Sequence, residues 1–177
     1  MVKRKKISAI TALLSAVCLL LSACGSGTVF DDITGASIDF PLQDDGYPDP
    51  GAAIINGETF ALYDDASPVE IVEKQLSVKA TDDGRLEVIV AKGGAITEWR
   101  ASDNVRLINY AEFEPKISAE DIKDGASGTV QRFVLGVPAE KATVVFKLIN
   151  VLEASDKSFD ELDCIYRLTL TVEMPRA

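Results

Sequence analysis

Histidine is absent from the chain. That absence excludes Ser-His-Asp and Cys-His nucleophilic catalysis, histidine-ligated zinc and a histidine pH switch. Cysteine is nearly as scarce, with Cys18, Cys24 and Cys164 only. The one long apolar run, Ile7 to Leu21, is too short for a stable spanning helix. Basic residues are few, 18 Lys and Arg against 28 Asp and Glu, so nucleic acid and anionic headgroups are not expected partners. Carboxylates remain as general acids and bases, but no spacing singles out a pair. Asp44-Asp45-Gly46 and Asp82-Asp83-Gly84 are too short for a calcium loop and read as turns. The expectation is a protein without catalytic activity, metal or cofactor.

What is present begins at the amino terminus. Lys3, Arg4, Lys5 and Lys6, then the apolar run, then small residues describe a secretory signal. Leu21-Ser22-Ala23-Cys24 resembles the bacterial lipobox. The resemblance implies a signal peptide over 1–23, diacylglycerol on the Cys24 thiol and acylation of the new amino terminus. The protein would then be a lipoprotein of the cell envelope, held by lipid on the extracytoplasmic side of the cell membrane or outer membrane. Gly25 after the cysteine gives no aspartate retention signal, which favours outer-membrane sorting in a Gram-negative host. Residues 24–177 would carry 14 basic and 28 acidic residues, a net charge of −14. Two acyl chains, at roughly 0.8 kcal/mol per buried methylene, make such an anchor effectively permanent. Cys164 would be the only free thiol left, so no intrachain disulfide forms; its alternating surroundings read as a buried strand, with a reactive thiol as the alternative.

The stretch 24–50 reads as a flexible tether because Gly25, Gly27, Gly35, Gly46, Pro41, Pro48 and Pro50 are interspersed with acids. Alternation of Ile38, Phe40 and Leu42 leaves an edge strand as the other reading. Asn56-Gly57, flanked by apolar residues, predicts a hairpin over about 52–63 with a type I′ turn. The domain would thus occupy 51–177. From Val69 onward apolar residues recur with period two. Leu76, Val78 and Ala80 precede a turn at Thr81 to Gly84, and Leu86, Val88 and Val90 return from it. A short strand carries Ile96 and Trp99, and others run near 105–113, 129–136 and 142–150. Ser118 to Asp121 suggests one helical turn, and Cys164 to Val172 a last strand. About seven short strands of this kind indicate an all-β antiparallel sandwich rather than a closed barrel.

From Leu86 to Val172 the order of features is similar to the chagasin family of cysteine-peptidase inhibitors. A Gly-containing loop precedes Trp99, Gly125-Ala126-Ser127-Gly128 precedes a strand with Phe133, and Lys141 to Phe146 leads to a long loop and a final strand. The resemblance implies an immunoglobulin-like sandwich that inserts three end loops into the cleft of papain-like enzymes. The partner-binding residues would be Lys92, Gly93, Gly94, Ala95 and Ile96 in the first loop. Gly125, Ala126, Ser127 and Gly128 would form the second, and Asn150, Val151 and Leu152 would open the third. The loops depart from the family pattern. None of the six first-loop residues before Trp99 matches Asn-Pro-Thr-Thr-Gly-Tyr. Ser127 replaces a glycine of Gly-x-Gly-Gly, and Asn150-Val151-Leu152 stands where Arg-Pro-Trp is found.

Three functions follow as expectations. One is a binding module that presents end loops to a protein partner, a cysteine peptidase in its most specific form. Another is an accessory subunit of an envelope complex, recruited through an exposed strand edge or the acidic face. The last is sugar binding on Trp99, Tyr110 or Tyr166. Oligomeric state is open.

Overall fold

The computed structural model describes residues 26–31, 34–62, 72–116, 124–138 and 141–175. Cys24 and the signal sequence, the loop 64–68, the turn expected at Ser118 to Asp121 and residues 139–140 lie outside them. Among the described residues, no helix is long and apolar enough to cross a membrane.

Among the described residues, eleven strands form two sheets, more than the period-two pattern alone suggests: β1 Ser26–Phe30, β2 Ser37–Pro41, β3 Ala52–Ile55, β4 Glu58–Ala61, β5 Val72–Lys79, β6 Arg85–Ala91, β7 Thr97–Ala101, β8 Arg106–Pro115, β9 Val130–Gly136, β10 Lys141–Asn150 and β11 Tyr166–Glu173. One sheet has the order β2-β1-β8-β9-β6-β3-β4 and the other β5-β11-β10-β7. Their packed faces make an all-β, immunoglobulin-like sandwich. Every pairing is antiparallel except β5 with β11, which runs parallel from Val72 opposite Tyr166 to Lys79 opposite Glu173.

The core lies where the two apolar faces meet. Leu86, Val88 and Val90 of β6, with Phe133 and Leu135 of β9, face Val144 and Phe146 of β10 and Leu168, Leu170 and Val172 of β11. Alternation makes this possible, because every second side chain of a strand points to the same face. Aromatic rings interlock edge to face, Phe133 with Phe146 at 5.4 Å and Trp99 with Tyr166 at 5.6 Å. Trp99 is 3% exposed and donates its indole N–H to the Ala91 carbonyl at 2.8 Å. Tyr166 is also buried and donates to the Leu62 carbonyl. Neither ring can therefore serve as a sugar-stacking platform, which leaves Tyr110, 42% exposed, as the one residue of that expectation at the surface. The reason is that both lie on the inward phase of their strands.

The hairpin at Asn56-Gly57 forms as its residues predict, with φ of 48° and 83° at those two positions. β3 also pairs with β6, so the hairpin is the edge of the larger sheet. The strands flanking Thr81 to Gly84 do not pair with each other. β5 belongs to the smaller sheet and β6 to the larger, so this turn crosses between layers.

The stretch read as a tether is folded from Ser26 onward. β1 and β2 pair along their whole length, and Val29 and Phe40 are fully buried. They cover the outer face of the larger sheet, joining Ala52, Ile89, Ala91, Phe113 and Val130 in a second apolar cluster. The physical cause is the opposite phase of β6: Ile89 and Ala91 point away from the main core and need their own cover.

Cys164 is buried but precedes β11 rather than lying in it. It packs with Ile149, Ala154 and Leu162 on the inner side of the segment 151–164, which folds back over the smaller sheet. Lys147, 5% exposed, holds that segment down. Its Nζ donates to the carbonyls of Phe159 at 2.8 Å, Leu162 at 3.0 Å and Asp160 at 3.3 Å, and lies 4.8 Å from the Phe159 ring centre.

Candidate functional site: the end-loop cluster

The three loops singled out by sequence leave the sandwich at one end and touch. β6 stops at Ala91, opposite Val130 of β9, so 92–96 and 125–128 emerge side by side. Gly94 and Ala126 form an isolated antiparallel bridge, and the Ala95 amide donates to the Gly125 carbonyl at 3.1 Å. The third loop joins through the Val151 amide, which donates to the Ile96 carbonyl at 2.9 Å.

Local chemistry fixes each loop. Gly93 has φ of +77°, and a Cβ there would stand 3.2 Å from the Pro50 side chain, so both conformation and space favour glycine. The Thr97 hydroxyl lies 2.7 Å from the Lys92 carbonyl and accepts from the Gly94 amide at 3.1 Å, closing the first loop on itself. The Ser127 hydroxyl accepts from the Thr129 amide at 3.1 Å. Asn150 Oδ1 accepts from the Leu152 amide at 3.0 Å and starts the 3-10 turn Val151–Glu153. Two large apolar side chains remain outside, Ile96 at 48% and Leu152 at 71% exposure.

Behind the loops runs a polar chain that sequence reasoning did not single out. Lys92 pairs with Glu112 at 2.9 Å, and Glu112 accepts from the Tyr110 hydroxyl at 2.5 Å. That hydroxyl accepts from Gln131 Nε2 at 2.7 Å, and Gln131 Oε1 accepts from the Trp99 amide at 2.7 Å. Burial opposes charge on Glu112, but the hydrogen bonds from Tyr110 and Lys92 outweigh it and hold the carboxyl below its ordinary range. Burial, with Glu112 beside it, pushes the Tyr110 phenol well above its usual value. Gln131 is 2% exposed. The only sequence signal was a polar residue in an apolar strand.

Gln131 also occupies the amide at the centre of β7, which pairs with β10 on its other side. Capping an edge this way discourages strand addition. Replacing Gln131 with leucine leaves that amide and the Tyr110 hydroxyl without this partner. The expected loss is about 1–3 kcal/mol, read from denaturant unfolding.

No group of three or more Cys, Asp and Glu fit to hold a metal occurs among the described residues. Comparison with family models, curated proteins and solved structures gives no match to this chain.

Proposed function

We propose that the protein is an envelope lipoprotein, anchored through Cys24, whose sandwich works by binding through its end-loop cluster. The observation that carries this reading is the contact among 92–96, 125–128 and 150–152, segments up to about sixty residues apart in sequence. Loops braced on paired strands keep a fixed shape, which lowers the entropy lost when a partner docks. Ile96 and Leu152 supply exposed apolar contact area on that surface.

The most specific form of the reading is a chagasin-like inhibitor of papain-like cysteine peptidases. Loop convergence at one end of a sandwich supports it, and the unmatched loop residues weigh against it. Titrating papain with the lipid-free domain tests it. Inhibition at micromolar domain that is lost on replacing Leu152 and Ile96 with glutamate is the expected result. Full papain activity at excess domain removes the inhibitor form and leaves a binding module with another partner.

A second reading, an accessory subunit docked along its side, draws support from a different observation. Beside the β7 edge, β8 leaves Leu107 53% and Tyr110 42% exposed. Partner capture that survives scrambling of all three loops would favour it.

A further inference from the structure

Strand register places the loops and the start of the folded chain at the same end of the molecule. Phe113 near the finish of β8 stands opposite Val130 at the start of β9, which in turn faces Ala91 at the finish of β6. These three residues mark the end from which the loops leave. β1 runs antiparallel to β8 and meets it only through Val29 opposite Pro115 and Phe30 opposite Glu114. Thr28, Gly27 and Ser26 therefore continue beyond Pro115, rising about 3.4 Å per residue at the loop end. The chain returns there too, since Pro41 stands opposite Ser26 and Pro50 packs against Gly93. Cys24 precedes Ser26 by two positions. Two residues of chain span at most about 7 Å.

A lipid on Cys24 would consequently enter the bilayer beside the loops, on a leash too short to turn the domain over. Residues 26–50 hold six aspartates and no lysine or arginine. Asp44, Asp45 and Asp49 follow Pro41 at the loop end itself, while Asp39 sits mid-hairpin and Asp31 at the far end, so a membrane seat there must accommodate acids and suits a zwitterionic rather than an anionic bilayer. The loop end offers Ile96 and Leu152, the apolar tips of two hydrogen-bonded loops. Exposed apolar side chains next to a membrane anchor are suited to the interfacial layer, where their burial is favourable.

We infer that in the anchored protein the loop end is the membrane-seated face, with Ile96 and Leu152 entering the headgroup region of a zwitterionic bilayer. The inference rests on the Cys24 anchor proposed above and names what that loop surface meets first. A soluble peptidase cleft then reaches the loops only in copies that are not seated.

The test uses the full lipidated protein in phosphatidylcholine vesicles, with Cys164→Ala as background and one environment-sensitive fluorophore per molecule. The fluorophore sits at Leu152→Cys or at Asp83→Cys, the latter on the turn at the far end of the sandwich. The expected result is a blue-shifted emission at 152, quenched several-fold by a shallow lipid-borne nitroxide, with no quenching at 83. Adding phosphatidylglycerol should reduce the quenching at 152, because the acidic domain is repelled. Quenching at 83, or at neither position, overturns the seated orientation while leaving the anchor intact. Mass spectrometry of the amino-terminal peptide separates the two claims: Cys24 without its acyl mass overturns the anchor and the orientation together.

Discussion

Replacing Phe40 with alanine is expected to lower the unfolding free energy by about 3–5 kcal/mol, the usual cost of removing a buried ring. Phe40 is fully buried among Val29 of β1 and Ala52, Ile89, Ala91, Phe113 and Val130 of the strands that the β1–β2 hairpin covers. Losing the ring leaves a void between the β1–β2 hairpin and the sheet it covers. Domains of this size are stable by roughly 5–15 kcal/mol in total, so the change would be large enough to shift the urea midpoint plainly. Trp99, buried in the other cluster, reports global unfolding without touching the substituted site. A loss below about 1 kcal/mol would show that residues 26–50 are not packed against the domain, as a tether would not be.

The second large effect is expected at Lys147. Exchanging it for methionine keeps most of the stem volume but removes the donor shared by the carbonyls of Phe159, Asp160 and Leu162. Leaving buried carbonyls without a partner costs on the order of 2–4 kcal/mol here, and the contact with the Phe159 ring is lost as well. The damage should concentrate in 151–164 rather than spread through the sandwich. Cys164, buried on the inner side of that segment, gives the readout: its reaction with a thiol reagent should accelerate at least tenfold in native conditions. An unchanged labelling rate would mean that the segment is held by Ile149, Ala154 and Leu162 alone.

The sandwich was legible because its strongest signals are local. Period-two alternation in Leu86, Val88 and Val90, or in Tyr166, Leu168 and Leu170, states directly which side chains share a face, and these residues do meet in the main core. Asn56-Gly57 carries its turn geometry in its own side chains. The tether reading of 24–50 outweighs the edge-strand one because glycines, prolines and six aspartates dilute the three alternating residues Ile38, Phe40 and Leu42; β2 is that edge strand, and β1 has no such signal. Their folding depends on a second cluster that exists only once Ile89, Phe113 and Val130 are assembled. Lys147 carries no local signal of its role, since nothing nearby announces that 151–164 will fold back above it. The parallel placement of β5 beside β11 joins residues almost a hundred positions apart and has no local signature at all. In the end-loop cluster, the order of features located the loops. The chain from Lys92 through Glu112, Tyr110 and Gln131 to Trp99 depends on cross-strand register, which spacing in one strand does not encode.

That parallel pairing also bears on how the molecule is made. β11 sits inside the smaller sheet between β5 and β10. A nascent polypeptide lacking β11 has no seat for β5 and cannot close the layer. Assembly must therefore wait for β11 and proceed through distant rather than sequential contacts, a slow route by topology. If the chain crosses a membrane before it folds, as the proposed anchor requires, such a delay keeps it extended until β11 has emerged.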